Sequence, residues 1–201
     1  MNVIDTFGNI DIYLFDQLLK GRISARDRIL DAGCGSGRNA HYLLREGFDV
    51  YGVDENTRAV AAFTELASEL GHPLAEGHAG VAPLDALPFA DDYFDVVICS
   101  AVLHFARDDA HFEGMVTELF RVVRPGGLFF ARLASSAGIE SQVRFLEGRR
   151  ALLPDGSQRY LVDEAQLMRL TDHYGALLDP LKTTIVHGQR SMTTWVVRAT
   201  G

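Results

Sequence analysis

The residues of this chain best suited to chemistry lie between Ile29 and Tyr42, in the segment ILDAGCGSGRNAHY. There an apolar strand passes into a helix through a loop with glycine at Gly33, Gly35 and Gly37. Glycine tolerates positive φ and carries no Cβ, so a ligand can come within reach of the backbone N–H groups at the start of a helix. This reads as a nucleotide-binding turn. A dinucleotide fingerprint would have its third glycine three residues after the second, but Arg38 holds that position. The NAD or FAD reading thereby loses the glycine that seats its helix against the strand. About twenty residues further on, GVDEN puts Asp54 at the carboxyl end of the next strand, where a carboxylate can accept both hydroxyls of a ribose.

Such a loop needs a parallel sheet covered on both faces, and the alternation of apolar runs with helical patterns supplies one. Strands are predicted at Arg28–Ala32, Asp49–Val53, Phe94–Ser100 and Leu128–Leu133, with another near Pro73–His78. Helices are expected at Tyr13–Lys20, at Thr57–Leu70 on the period of Val60, Phe63, Leu66, Ala67 and Leu70, and at Ala110–Val123 before Arg124-Pro125-Gly126-Gly127. From Ser135 to Tyr160 the pattern dissolves into small, polar and arginine-rich sequence, so residues 135–162 read as a substrate-side insertion or lid. A helix resumes at Asp163–Tyr174. Strands at Leu181–His187 and Met192–Ala199 flank the short turn HGQRS, making a hairpin whose last strand runs antiparallel. The expectation is an α/β fold with a single domain over residues 1–201 and an N-terminal helical segment at 1–27.

With 201 residues and 47% hydrophobic content, the chain suits one full core. A net charge of -8 and a pI near 5.3 give no electrostatic footprint for a phosphate backbone, so nucleic acid is not expected as a partner. Cys34 and Cys99 are too few for a disulfide framework, which points to a reducing cytoplasm. The N-terminal stretch MNVIDTFGNIDIYLFDQLL lacks the basic start and unbroken apolar core of a signal peptide, and no apolar run approaches membrane length. The expected protein is soluble, with no membrane partner and no metal, since no two histidines stand at i and i+4.

Four elements, in order, resemble the class I S-adenosylmethionine (SAM) dependent methyltransferases: DAGCGSG, GVDEN, LDALPFADDYFDVVICSAVLHF and RVVRPGG. The resemblance spans nearly the whole chain and looks closest to small-molecule members and those of the tellurite-resistance type. It implies a seven-stranded Rossmann-like sheet with helices on both faces and a C-terminal antiparallel hairpin. It also implies SAM as cofactor and S-adenosylhomocysteine (SAH) as product. By that resemblance Asp31 lies near the methionine amino group, Gly33 and Gly35 pack against the methionyl part, and Glu55 or Asn56 borders the adenine. Cys34, Arg38 and Ser100 complete the implied cofactor set with Asp54. Many relatives carry an acidic residue a few positions before LPF that borders the adenine; here Pro83 and Leu84 stand there, and Asp85, the nearest carboxylate, is the implied candidate for that contact.

Methyl transfer from a sulfonium requires collinear alignment in a water-poor pocket and makes a catalytic side chain optional. His104, just beyond the fourth strand, is the candidate general base; the competing reading makes it a pocket-lining or structural residue. SAVLHF lacks the Asn or Asp followed by Pro-Pro and an aromatic that marks enzymes acting on adenine or glutamine amides. Together with the acidic charge this favours a small-molecule acceptor over a macromolecule, and a SAM-binding protein without turnover is the rival from another class. Between Arg132 and Arg159 five arginines face Glu140, Glu147 and Asp155. Arg132, Arg149, Arg150 or Arg159 would grip an anionic group on the substrate, or else the stretch is a solvated loop with local salt bridges. Tyr13 and Phe15 either cover the cofactor or pack against the sheet. The oligomeric state has no signature in the sequence.

Overall fold

The computed structural model describes residues 2–200. Five parallel strands form its centre: β1 (Arg28–Ala32), β2 (Asp49–Asp54), β3 (Ala79–Val81), β4 (Phe94–Ser100) and β5 (Val123–Ala134). A second, three-stranded sheet of β6 (Arg144–Glu147), β7 (Arg150–Leu152) and β8 (Gln158–Tyr160) follows, then β9 (Gly175–Leu177), β10 (Lys182–Val186) and β11 (Arg190–Ala199). The main sheet runs β10-β11-β5-β4-β1-β2-β3, with β9 also paired to β11. β11 is antiparallel to β5, β9 and β10, as the hairpin pattern requires. The helices are α1 (Val3–Phe7), α2 (Ile12–Leu19), α3 (His41–Arg45), α4 (Thr57–Glu69), α5 (Asp109–Val122) and α6 (Glu164–Tyr174). This is a Rossmann-like fold whose strand order reverses between β4 and β1, and ligands of open α/β sheets gather at the carboxyl ends beside that reversal.

Side chains alternate strictly across the pleat. Leu30, Val53, Val97, Phe129 and Trp195 pack on one face with Phe112, Val116 and Leu119 of α5, while Ile29, Val50, Ile98 and Phe130 pack on the other with Leu14, Leu43 and Phe63. The buried Trp195 ring donates from Nε1 to Thr171 Oγ1 at 2.8 Å, tying β11 to α6. Gly52 leaves the space that Phe63 fills: a Cβ there would meet the ring at 2.5 Å. Gly52→Ala is therefore expected to cost about 1–3 kcal/mol by overpacking, lowering Tm by roughly 5 °C in a thermal melt.

One expectation needs correction. The third strand is Ala79–Val81, not Pro73–His78. The earlier residues form the approach to it, with the His78 ring stacked on Tyr51 and bonded to Asp49. The seven strands along the path of the main sheet are those of the expected Rossmann-like fold, and β9, formed where the chain leaves α6, pairs with β11 off that path. The stretch 135–162 is a small antiparallel sheet with its own buried cluster of Ala151, Leu153 and Leu161, packed with Ile139 and Ala134. No helix among the described residues is long and apolar enough to cross a membrane.

Candidate functional site

β1 ends at Ala32, and the next two residues turn sharply because Gly33 and Cys34 both donate their N–H to the Val53 carbonyl, at 2.8 and 2.9 Å. Gly33 has φ +79°, and a Cβ there would stand 2.3 Å from Val102 Cγ2. Gly35, at φ +53°, faces open space, so its backbone is approachable. Gly37 has a third role: a Cβ on it would meet Leu66 at 2.5 Å, so this glycine lets the loop pack against α4.

At the end of β2, Asp54 is locked in place by two backbone donors. Its Oδ2 accepts from Gly35 N at 3.0 Å and its Oδ1 from Asn56 N at 2.9 Å. Each carboxylate oxygen retains lone-pair capacity for further donors. Beneath the loop, Asp31 is 2% exposed and its Oδ2 has no hydrogen-bond partner. Burial pushes its carboxyl up to about 7, opposed by the Arg38 charge and reinforced by Asp54. A buried, half-titrated carboxylate with an unused acceptor is matched to a cationic ligand group. Arg38 reaches Ser100 Oγ at 3.5 Å and forms no ion pair among the described residues. Cys34 is buried, and its thiol is pushed up by burial and by the nearby Asp31 and Asp54 charges, so it is no nucleophile.

Two cavities meet at Gly33, Ser100 and Ala101. Ala101 has φ +65°, a left-handed conformation uncommon for a residue with a Cβ, and its N–H donates to the Arg132 carbonyl at 2.7 Å. The first cavity, about 520 Å³, is bounded by Asp54, Glu55, Leu84, Phe105 and Met115. The second, about 570 Å³, takes Gly35, Arg38 and His104 from the main-sheet edge, Leu153, Ser157 and Arg159 from the small sheet, and Val186, Arg190 and Met192 from the hairpin. Of the residues singled out in the sequence, Gly33, Cys34, Gly35, Arg38, Asp54, Glu55, Ser100 and His104 line one or both cavities. Asn56 instead caps α4, its side chain accepting from Arg58 N. Asp85 contacts Arg107 and His111, which line the first cavity, at 3.9 and 3.7 Å.

His104 is 7% exposed, and its Nδ1 accepts from the Ala134 backbone N–H at 3.3 Å. Burial, then the charges of Arg159 and Arg190, push it down to about 4, so the ring is neutral at physiological pH. The candidate arginines separate clearly. Arg132 pairs with buried Asp11 at 2.9 Å, Arg149 pairs with Asp163 at 2.8 Å, and Arg150 reaches Gln158. Arg190 and Met192 line the second cavity without any signal in the sequence, since the hairpin reaches it only through the fold, and Asn39 of the glycine segment lines it too, its Oδ1 accepting from Asp11 N–H at 3.0 Å. Among the described residues no three His, Cys, Asp or Glu side chains gather as metal ligands would.

A glycine loop that closes on a carboxylate, at the reversal point of a β10-β11-β5-β4-β1-β2-β3 sheet, is the architecture of the nucleotide-binding α/β folds. The sequence profile of the methyltransferase-domain family matches residues 30–131, just over half of the chain. The chain belongs to this family, the class I SAM-dependent methyltransferases. It is 32% identical over 107 residues to an uncharacterised methyltransferase of Synechocystis sp., covering 53% of this chain and 47% of that protein. It is 29% identical over 153 residues to the ubiquinone biosynthesis O-methyltransferase of Vibrio cholerae, covering 73% of this chain and 59% of that one. This chain thus spans about half the length of the curated relatives it matches. The fold is shared with the Burkholderia thailandensis 1,6-didemethyltoxoflavin-N1-methyltransferase, solved with SAH, at a TM-score of 0.70 and 19% identity. That alignment covers 100% of this chain and 82% of the other.

Proposed function

We propose that this chain transfers a methyl group from SAM to a small-molecule acceptor, releasing SAH, with the methionyl end of the cofactor at the Gly35 and Arg38 side of the second cavity and the acceptor in its part lined by residues 153–159 and the hairpin. The observation that carries this reading is the pair of cavities joined at Gly33, Ser100 and Ala101. One is bordered by the Asp54 carboxylate, and the other, about 570 Å³, is closed by lid and hairpin at the scale of a small molecule. The residues fit the cofactor. Asp31 Oδ2 suits the methionine ammonium, Arg38 the methionyl carboxylate, Gly35 a close backbone approach, Asp54 the sugar hydroxyls, and Glu55, which lines the first cavity, the border of the adenine. When bound, SAM supplies a sulfonium methyl group whose displacement demands alignment and exclusion of water. The lid, residues 135–162, supplies the exclusion. Free, buried Cys34 and Cys99 support a reducing cytoplasm as the setting.

The geometry supports positioning rather than proton abstraction by His104. With Nδ1 accepting from Ala134, the neutral ring carries its proton on Nε2, so its free face is a donor. Glutamine can accept from the same N–H and donate from its amide, yet cannot act as a base. His104→Gln is therefore expected to retain kcat within about tenfold on the first acceptor identified, where loss of a true base costs about 10²–10⁴-fold. His104→Ala, lacking both bonds, should fall further, and a kcat/KM profile should show no inflection from this ring near its ordinary value.

The activity is tested by incubating the protein with SAM and a panel of small acids, phenols, amines and heterocycles, following SAH by mass spectrometry. SAH formed with a small molecule supports the reading. Formation only with protein or nucleic acid fractions would assign a macromolecular acceptor, and stoichiometric SAM binding without turnover on any of them would make this a binding protein.

A further inference from the structure

The second cavity carries more arginine than its carboxylates neutralise, and the surplus falls on one residue. Four guanidinium groups line it: Arg38, Arg132, Arg159 and Arg190. Arg132 is matched by Asp11 and Arg190 by Asp155, while Arg38, which also forms no ion pair among the described residues, is the guanidinium assigned above to the cofactor's own carboxylate. Arg159 forms no ion pair among the described residues. Its Nη1 donates to the Gln158 carbonyl at 2.7 Å, and its guanidinium carbon lies 4.8 Å over the centre of the Phe105 ring. Phe105 borders the first cavity and Arg159 the second, so the stacked pair stands between the two. A guanidinium held by a carbonyl and a ring face is fixed in direction, with the rest of its donor fork unused.

Resting on the methyl-transfer reading of this site, we propose that Arg159 is the specificity residue for the acceptor, which is a small organic carboxylate with an apolar body. One planar fork with one uncompensated charge matches a monoanionic carboxylate bidentately. A phosphate dianion would leave a charge unmatched. Leu153, Val186 and Met192 provide the apolar wall for the rest of the molecule, and among the described residues no carboxylate lines the cavity to repel the anion. The neutral His104 ring beside Arg159 adds no competing charge.

The test uses SAH-loaded protein and three probes: benzoate, its neutral isostere benzamide, and inorganic phosphate, each titrated by calorimetry. Benzoate is expected to bind, with benzamide and phosphate at least about tenfold weaker. Arg159→Gln should weaken benzoate about tenfold or more, and Arg159→Lys should restore part of the loss. Arg150→Gln, which removes the same charge from the lid away from the cavity, should leave benzoate affinity unchanged. Equal binding of benzamide, no benzoate binding at millimolar concentration, preference for phosphate, or equal losses in Arg150→Gln and Arg159→Gln would each overturn the proposal. SAH binding is measured on the same samples. Its absence in the parent protein would instead remove the methyl-transfer reading itself.

Discussion

Asp54→Ala is expected to abolish measurable SAH binding, weakening it by about 100-fold or more. The carboxylate does two jobs at once. It accepts the Gly35 and Asn56 N–H groups at 3.0 and 2.9 Å, so it holds the glycine loop against the end of β2, and it offers the remaining lone pairs to a sugar. Each hydrogen bond to a charged acceptor contributes about 1.5–3 kcal/mol, so loss of two to the ligand alone gives about two orders of magnitude. The loop also loses its anchor, since the Gly35 N–H is left without its acceptor. Calorimetric titration checks this: the parent protein should bind one SAH per chain, and the variant none at comparable concentrations. Asp54→Asn should lie between them, because its amide oxygen accepts from one backbone donor while its NH₂ opposes the other. A thermal melt of the ligand-free variant separates loss of the site from loss of the fold. If Asp54→Ala bound SAH as tightly as the parent, or the parent bound NAD and not SAH, the assignment of the first cavity would fail.

What could be read from the sequence follows from how each element is buried. β1, β2, β4 and the C-terminal half of β5 are largely buried, so they appear as short runs of mostly apolar residues, and α4 announces itself through the period of Phe63, Leu66 and Ala67. β3 and β9 are three residues each, too short for any pattern, and every residue of β6 is exposed, so no alternation marks it. The lid is therefore invisible as structure although its boundaries are legible as a change in composition. The site divides in the same way. The glycines and Asp54 were legible because a local spacing, strand to turn to helix to strand, carries them to one edge. The fate of the arginines was not, because Arg132 finds its partner 121 residues away in Asp11, and Arg190 finds Asp155 across the lid and hairpin. Ion pairing between distant segments leaves no trace in spacing, and it alone decides which guanidinium is free.

Asp31→Asn should move stability and ligand affinity in opposite directions. In the ligand-free protein this carboxyl is fully enclosed and held at about 7, against 3.8 in the ordinary case. The native state therefore keeps a proton that the unfolded chain has lost. Stability of the ligand-free protein falls as pH rises from about 4 to about 7 and levels off above, the sign set by the greater proton binding of the folded form. Asparagine removes that charge without removing volume. At pH 8 the variant should be more stable by a few kcal/mol, about 5–10 °C in Tm, and the gain should shrink toward pH 4. Binding should respond in the other sense. A cationic amino group placed against the unpartnered Asp31 Oδ2 favours the ionised carboxylate, so SAH binding by the parent at pH 6 should release a proton, seen as a dependence of binding heat on buffer ionisation enthalpy. Asp31→Asn should lose that proton release and bind SAH about 10–100-fold more weakly. A variant that is both less stable at pH 8 and equally tight for SAH would show that Asp31 serves the fold and not the ligand.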